Sequence, residues 1–589
     1  MQSIRAFVRA LLKRRVNPII QALEKRVRIL TPSDRLIAGV LAIMMVFSVG
    51  ALLASISLAL TEEVPAYGGS YTEGLIGSPR FINPVLAISD TDRDLTTLVY
   101  SGLMRSNPDG SLTPDLAESY SISNDKRTYT FVIKSSARFH DNKPVTADDV
   151  VYTIRSTENP NIKSPRRADW EGVSVSALDE RTVSFTLKSP YAPFLENMTL
   201  GILPKHVWQE VSPEEFPFST RNTDPIGSGP YRVANVKRNS SGIPIEYTLT
   251  AVTSGTRIPY IKNFIFKIYT NAETLKDALS QNKVQGAHSI DTTGSLSSFA
   301  LHEAVFGRIF GVFFNQSQNK IFADASVRRA LDRAVDKESI ISRVLRGHGA
   351  VIDGPVPPRT AGTEIATTTS EVAIEAARQI LTDGGWKPGD DGVLVKTITV
   401  GKKKESVRLA FSLSTSNVTE LKQAAEMVAD DWRRLGAEVD LKFFDQNDLN
   451  LSVIRPRTYD ALLFGLVIGR DLDLFAFWHS SQRNDPGLNI ALYANSATDK
   501  KLETLRTTDD FLSRIDKAQE IATDIRNETA AIFLYTPYFV YRTPADLSGI
   551  HLGTISTPSD RFLSADRWYL KTERVWPIFN TKKVEEYTK

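Results

Sequence analysis

The sequence predicts a two-lobed α/β protein that follows a single N-terminal transmembrane helix. The chain has 589 residues, and single hydrophobic cores stop growing near about 250–300 residues, so more than one lobe is expected. After Pro65, short alternating apolar runs are interspersed with helical hydrophobic stripes, which indicates a mixture of strands and helices. Residues 36–60 are uncharged and largely apolar, which indicates the membrane helix.

The N-terminal tail, residues 1–35, is strongly basic. It holds nine of the 71 Lys and Arg residues and two of the 68 Asp and Glu residues, for a net charge of +7. The rest of the chain therefore has a net charge of −4, which disfavours nucleic acid as a partner because phosphate binding requires a basic surface. The tail is interpreted either as a helix on an anionic membrane surface or as a topology signal alone. The first interpretation depends on apolar residues at helical spacing, namely Ile4, Phe7, Val8, Leu11 and Leu12.

The run at residues 36–60 is long enough to cross a bilayer, since a transmembrane helix needs about 20 apolar residues. The basic tail before it and Glu62 and Glu63 after it predict a cytoplasmic N-terminus and an extracytoplasmic body. Ser57 and Ala59 provide a small-residue pattern for signal peptidase, but the leading segment and the apolar run both exceed those of an ordinary signal peptide. We therefore expect an uncleaved anchor.

The body contains clear strand and helix patterns. Alternating runs predict strands over residues 128–133 and 182–187. A broad apolar stripe predicts one helix over residues 327–345, capped by Asp324. A second stripe predicts a helix over residues 420–435 that ends at Gly436. On the first of these helices, three arginines are expected on the solvent-exposed face: Arg328, Arg329 and Arg333.

Motifs for catalysis are missing from the sequence. The chain has no cysteine, its seven histidines are dispersed, and it contains neither an HExxH nor a GxSxG motif. The adjacent carboxylates Asp148-Asp149 and Asp430-Asp431 lie in helical contexts, where neighbouring side chains diverge, so solvated faces explain them better than a shared site. The sequence therefore predicts no enzyme, metal site or cofactor, and an extracellular hydrolase is the rejected alternative.

Residues 98–154 closely resemble the signature region of the family 5 extracellular solute-binding proteins, the peptide and nickel receptors of bacterial ABC importers. Further segments match the family in its order along the chain. They are GILPKH at 201–206, DPIGSGPY at 224–231, FN at 314–315 followed by 322–341, GW at 385–386 and YDALL at 459–463. The resemblance covers about residues 66–570.

Several of these motif residues are interpreted as structural rather than ligand-binding. Thr146 and Asp149 have the spacing of a capping box at a helix start. His140 precedes that helix in a turn, so a role in the fold is favoured over a role as a ligand. Gly227 and Gly229 are expected to allow a backbone bend before a strand.

The resemblance implies an α/β clamshell of the class II periplasmic-binding-protein type, with a subdomain inserted in the first lobe and a hinge of two crossing strands. Carried onto this sequence, the first lobe is expected at residues 65–305 with 543–575. The inserted subdomain is expected at 91–200, and the second lobe at 306–542.

The resemblance also implies a ligand cleft between the lobes, closed by the loop at residues 469–474. In peptide receptors of the family an aspartate in this loop pairs the ligand's α-amino group. An ungapped match places Arg470 at that position, so either Asp471 takes the role or Arg470 binds an acidic group of the ligand. The residues assigned to the site are Ser78, Arg80, Phe81, Asn315, Arg470, Asp471, Asp473, Trp478 and His479.

The function implied is a monomeric, membrane-anchored receptor that binds oligopeptides by hinge closure and serves an ABC permease, without a cofactor. A nickel chelate or an oligosaccharide is the alternative solute. A sensor or chaperone with the same clamshell is the alternative function, which the basic tail would favour. In each case the ligand favours the closed form through contacts that the open form lacks.

Overall fold

The structure is a computed structural model that describes residues 29, 31–254, 257–290, 299–362, 370–400 and 403–576. The chain divides into two compact units, Met1–Ala66 with Lys571–Lys589, and Tyr67–Leu570. The apolar stripe predicted at residues 4–12 of the tail lies outside the described residues.

The first unit contains the predicted apolar helix, Pro32–Leu60. Thr31 caps it by accepting a hydrogen bond from the backbone N–H of Asp34. By length and composition, this is the one helix of the described residues that is able to cross a membrane. Strand Glu62–Pro65 follows the helix and pairs antiparallel with strand Thr572–Val575.

The second unit begins with a lobe, here called lobe I, built on a four-stranded sheet. In order across the sheet, the strands are Gly68–Ile76, Ile261–Tyr269, Pro244–Ala251 and Tyr231–Arg238. The first two are parallel, and the other neighbours are antiparallel. Helices Asp90–Val99 and Ala272–Ser280 and the 3₁₀ helix Pro558–Arg567 complete the lobe. Leu95 and Leu98 of the first helix, which the predicted boundaries assign to the subdomain, pack in the core of lobe I.

Lobe I also contains a buried ionic cluster. Arg561, whose side chain is fully buried, donates two hydrogen bonds of 2.8 Å to the carboxylate of Asp94 and one of 2.8 Å to Glu73. The hydroxyl of Tyr541 donates to the other oxygen of Glu73 at 2.6 Å. Burial alone would lower the pKa of Arg561. The negative charges of Asp94 and Glu73 have the larger effect and raise that pKa, so the guanidinium stays charged.

An inserted subdomain, here called the insert, has its own hydrophobic core between Leu103 and Ile202. Its antiparallel sheet contains both strands predicted from the sequence, Thr128–Ile133 and Thr182–Leu187, which confirms them. Strands Ala117–Ile122 and Val173–Ala177 flank this pair, and Met104–Ser106 pairs with Leu112–Pro114. The helices of the insert are Ala147–Glu158 and Phe194–Asn197. Helix Lys205–Trp208 follows and contributes Trp208 to the core of lobe I.

The turn before helix Ala147–Glu158 has the structural role predicted for it. The backbone N–H of Thr146 donates to the Asp149 carboxylate at 2.8 Å, which is one half of a capping box, and the Thr146 side chain accepts from the backbone of Asp149 in the other half. The Thr146 hydroxyl also donates to the same carboxylate at 2.7 Å. The Nδ1 atom of His140 accepts from the backbone N–H of Gly227 at 3.2 Å, and its Nε2 lies 3.1 Å from the carbonyl oxygen of Gly229. Burial lowers the pKa of His140 to about 4, so the ring is neutral at physiological pH.

The remaining lobe, here called lobe II, contains a mixed sheet with two packed faces. Its strands are Ala287–His288, Phe299–Val305, Arg308–Phe314, Gly349–Val351, Ala410–Ser416, Glu438–Phe444, Ala461–Val467 and Ala531–Pro544, beside a small sheet of Lys387–Pro388, Leu394–Val400 and Lys403–Arg408. Its helices are Ala325–Ala334, Lys337–Val344, Ser370–Asp383, Thr419–Leu435, Gln446–Asp448, Phe475–Trp478, Ser496–Arg506 and Phe511–Asn527. The helix predicted to end at Gly436 is confirmed, with that glycine at a left-handed φ of 110°.

The single helix predicted at residues 327–345 is wrong. The chain forms two helices, Ala325–Ala334 and Lys337–Val344, because Val335 is extended and Asp336 caps the second helix. The prediction of a solvated Arg328 is also wrong. Its guanidinium is buried and donates to the carbonyl oxygens of Phe322, Glu528 and Thr529.

Two of the carboxylates predicted to be solvated are buried and cap other segments. Asp149 accepts from the backbone N–H of Lys205 at 2.8 Å, in addition to its contact with Thr146. Asp431 accepts from the backbone N–H of Asp336 at 2.9 Å. As predicted, neither pair of adjacent carboxylates shares a site. The prediction that Asp149 and Asp431 are solvated is wrong, because both are buried and each accepts a hydrogen bond from a backbone N–H group.

Two strand segments pass from one lobe to the other. Strand Ala531–Pro544 contributes Ile532 to the core of lobe II and Tyr541 to the core of lobe I. Its antiparallel partners are Phe299–Val305 and Arg308–Phe314. Together these two strands pass from lobe I back to lobe II. These crossing strands match the arrangement that a hinge requires. The predicted boundaries of the lobes stay predictions.

Candidate ligand-binding site between the lobes

The loop at residues 469–474, here called the closing loop, contacts the insert. The hydroxyl of Tyr191 in the insert donates to Asp473 of the loop at 3.3 Å. Arg506 holds the same carboxylate through Nε and Nη2 at 2.9 and 2.8 Å, and its guanidinium lies over the ring of Tyr191 at 5.2 Å. The backbone N–H of Ala192 donates to the carbonyl oxygen of Arg506 at 2.8 Å. The structure therefore has lobe II and the insert in contact.

Arg470, which occupies the position matched to the family's aspartate, already has partners within the protein. Its guanidinium forms an ion pair with Asp560 of lobe I, and its Nε donates to the carbonyl oxygen of Thr554 at 3.3 Å. Its side chain is 11% exposed and lines a cavity of about 470 Å³ between lobe I and the insert. Arg470 thus joins lobe II to lobe I in the absence of a ligand.

Asp471 differs from its neighbours because the structure gives it no ion pair among the described residues. Its Oδ1 accepts only a long hydrogen bond, 3.4 Å, from the backbone N–H of Asp473. The side chain is half-buried. Desolvation and the charge of Asp473 raise its pKa.

Two further charged residues interact electrostatically with Asp471, and the sequence analysis missed both. Glu196 of the insert has a pKa raised to about 7, first by desolvation and then by the charge of Asp471. Arg514 of lobe II is 8% exposed, and its Nε and Nη1 have no hydrogen-bond partner. The only sequence signal for Glu196 is its position as a lone charge in the apolar run 190–203.

The other predicted site residues lie apart from the closing loop's contacts. The hydroxyl of Ser78 donates to the carbonyl oxygen of Pro244 at 3.1 Å. The backbone N–H groups of Arg80 and Phe81 donate to Asp92 at 2.8 and 2.9 Å, and the Arg80 guanidinium lies 5.3 Å from the Phe81 ring. The structure thus places Arg80 and Phe81 at the start of helix Asp90–Val99, and Ser78 beside strand Pro244–Ala251.

Asn315, Trp478 and His479 lie within lobe II. The side-chain amide of Asn315 donates to the carbonyl oxygen of Arg457 at 2.8 Å, and its oxygen accepts from two backbone N–H groups of the following turn. Trp478 is fully buried and packs 5.8 Å from the Phe533 ring. His479 stacks on Phe475 with ring centroids 4.1 Å apart. Contact of these three residues with a ligand stays a prediction.

Crossing strands connect lobe I and lobe II. Near the contact between the closing loop and the insert, Asp471, Glu196 and Arg514 interact electrostatically. The two lobes, the insert and the crossing strands define the class of two-lobed α/β solute-binding proteins, which bind by enclosing a ligand between their lobes.

The chain belongs to the bacterial extracellular solute-binding proteins of family 5. Residues 111–487 match the family described as "Bacterial extracellular solute-binding proteins, family 5 Middle". The chain is 27% identical over 552 residues to the oligopeptide-binding protein AppA of Bacillus subtilis, covering 90% of this chain and 97% of the relative. It is 26% identical over 468 residues to the nickel-binding periplasmic protein of Escherichia coli, covering 75% and 84%.

A solved structure confirms the fold. The structure of AppA from Bacillus subtilis in complex with a nonapeptide superimposes with a TM-score of 0.60 and 26% sequence identity. The match covers 86% of this chain and 100% of that structure. The family is one of solute-binding receptors, and both the predicted clamshell and the predicted family are confirmed.

Proposed function

We propose that the chain is a membrane-anchored, extracytoplasmic receptor that captures oligopeptides by hinge closure and delivers them to an ABC permease. It acts by binding alone. The observation that carries the proposal is Asp471, a desolvated carboxylate of the closing loop with no ion pair among the described residues. A buried carboxylate of this kind is stabilised by a cation, and a peptide's amino terminus supplies one.

The partners of Arg470 and Asp471 favour Asp471 as the residue that binds the ligand. Arg470 is held by Asp560 and the carbonyl oxygen of Thr554, so binding an anion would require it to exchange an existing ion pair. Asp471 has no such pair to lose. The relative named as an oligopeptide-binding protein, and its complex with a nonapeptide, support a peptide as the ligand.

Helix Pro32–Leu60 supports the membrane anchor. Its side chains from Leu36 to Leu53 are largely apolar and exposed, as a helix surrounded by lipid requires. Intact-mass analysis of protein extracted from membranes tests the anchor. We expect the full 589 residues, whereas a mature chain that begins at Leu60 would show that the helix is a cleaved signal.

Calorimetric titration of the full chain in detergent tests the ligand assignment. The probes are short peptides identified by native mass spectrometry as co-purifying, each compared with its N-acetylated form. We expect Asp471→Ala to weaken binding by on the order of 2–5 kcal/mol, because the buried ammonium loses its partner. The control is Asp440→Ala, whose carboxylate in the same lobe is 73% exposed. If acetylation is harmless and Arg470→Ala is the damaging change, the ligand presents an anion and the assignment is wrong.

A further inference from the structure

The strand that follows the membrane helix pairs with the last strand of the described chain. Glu62–Pro65 and Thr572–Val575 are antiparallel, and this pair is here called the membrane-proximal sheet. The Arg574 guanidinium donates to both the hydroxyl and the carbonyl oxygen of Thr61, each at 3.1 Å. Thr61 is the C-cap of the membrane helix, so these bonds hold the C-terminal strand at the end of that helix.

Trp576 comes directly after the C-terminal strand of this sheet. The register places Val575 opposite Glu62, so one residue further along the chain brings Trp576 level with Thr61. Trp576 is 41% exposed. The chain has seven tryptophans, all of them among the described residues, and the other six are at most 3% exposed: Trp170, Trp208, Trp386, Trp432, Trp478 and Trp568. The exposed tryptophan therefore lies where the membrane helix ends.

The length of the apolar run sets the depth at which this position meets a bilayer. Residues 36–60 rise about 38 Å as a helix, at about 1.5 Å per residue. The hydrocarbon core of a bilayer is about 30 Å thick, or about 40–45 Å with the headgroup layers. A run centred in the bilayer therefore ends about 19 Å from the midplane, which is within the outer headgroup layer. A tilt of about 20° moves that end inward by only about 1 Å.

The chemistry of the headgroup layer suits tryptophan. Its large ring is apolar while its indole N–H requires an acceptor, so tryptophan is enriched at this level of membrane proteins. Ile56 and Leu60 in the last two turns of the helix are also exposed, which extends the apolar surface up to the sheet. The two strands of the sheet have a net charge of −2, which supplies no attraction to anionic lipids. Contact with the lipid must therefore come from the ring.

We propose that Trp576 inserts into the headgroup layer of the outer leaflet and gives the receptor a second contact with the membrane beside its helix. The partner is the lipid surface, with neutral or anionic headgroups alike. The contact fixes the depth of the helix, whose apolar run is longer than the hydrocarbon core, because the indole is least stable when it leaves the interface. The proposal rests on the proposed function, since it requires helix Pro32–Leu60 to be retained as an anchor.

Quenching of intrinsic fluorescence by brominated lipids tests the proposal, because the other six tryptophans are buried in protein. The full chain is reconstituted in phosphatidylcholine vesicles that carry bromine near the headgroup, at the middle or near the end of the acyl chains, and in vesicles without bromine. Trp576→Phe removes the exposed indole and keeps an aromatic ring. Trp386→Phe, which removes a buried indole of lobe II, is the matched control.

We expect bromine near the headgroup to quench up to about one seventh of the wild-type emission, since one tryptophan of seven is within reach, and deeper bromine to quench less. Trp386→Phe should keep this bromine-dependent loss, and Trp576→Phe should lack it. Vesicles with added phosphatidylglycerol should give the same loss. A loss that requires the anionic lipid would show attraction by charge and would overturn the role of the ring.

Two further outcomes separate this inference from the proposed anchor. If the wild type and Trp576→Phe are quenched equally while intact mass shows all 589 residues in the vesicles, Trp576 lies in water or against protein. This inference is then overturned, and the anchor stands. If the chain is recovered without the helix and separates from the vesicles on flotation, the anchor of the proposed function fails and this inference fails with it.

Discussion

Tyr191 is the residue whose replacement should most directly change the equilibrium between closed and open forms. Its hydroxyl donates to Asp473 across the interface at 3.3 Å, and its ring lies 5.2 Å from the Arg506 guanidinium. A hydrogen bond to a charged group contributes about 1.5–3 kcal/mol, and at this length the lower value applies. The cation–π contact contributes about 0.5–1 kcal/mol.

Tyr191→Phe removes the hydroxyl and keeps the ring, so the closed form should lose about 1.5 kcal/mol, a roughly tenfold shift toward the open form. Tyr191→Ala removes both contacts, for about 2–2.5 kcal/mol and a roughly 30- to 70-fold shift. The hydrogen bond from Ala192 to the carbonyl oxygen of Arg506 uses the backbone and remains in both variants.

Fluorescence energy transfer between two engineered cysteines measures this shift, because the natural chain has none that would compete for label. Glu180→Cys in the insert and Glu426→Cys in lobe II replace exposed residues. Without ligand, we expect the transfer efficiency to change progressively from the wild type to Tyr191→Phe and then to Tyr191→Ala. The apparent affinity for peptide should fall in the same order. Equal efficiencies in all three proteins would refute the assignment of this contact to closure.

Three further predictions concern the fold. The free energy of unfolding should fall by about 3 kcal/mol as the pH is lowered from about 6.5 to about 4, because unfolded chains protonate His140 before the native state does; His140→Gln should lack this loss. Arg561→Met should cost about 3–5 kcal/mol in chemical denaturation, since Glu73 and Asp94 stay buried without their cation. Gly227→Ala should cost about 1–3 kcal/mol, because a Cβ would lie 2.0 Å from the Val99 carbonyl oxygen.

Each of these predictions has a contradicting result. A pH profile of unfolding that is the same with and without His140 would show that its ring is protonated in the native state. Unchanged stability in Arg561→Met would mean that water or rearrangement satisfies the two carboxylates. Unchanged stability in Gly227→Ala would show that the strand start moves freely away from Val99. Thermal unfolding of Arg329→Met, an exposed arginine on lobe II, is the control for the loss of a guanidinium.

The sequence by itself determined the elements whose cause is local. The apolar helix after the basic tail, the strands at residues 128–133 and 182–187 and the capping box of Thr146 and Asp149 were all predicted from residues close together in the chain. Gly436 marked a helix end for the same reason, since only the backbone conformation at that residue is involved. Family motifs spread over most of the chain then determined the clamshell.

Only the tertiary structure decided the features that depend on distant partners. Arg328 is buried because carbonyl oxygens of residues 528 and 529 accept its hydrogen bonds, and no pattern near residue 328 indicates them. Arg470 is paired because Asp560, ninety residues further along the chain, reaches it. Tyr191 reaches Asp473 because the insert docks on the closing loop. Charges act through space, so their roles follow from which residues folding brings together, and hydrophobic periodicity carries no information about that.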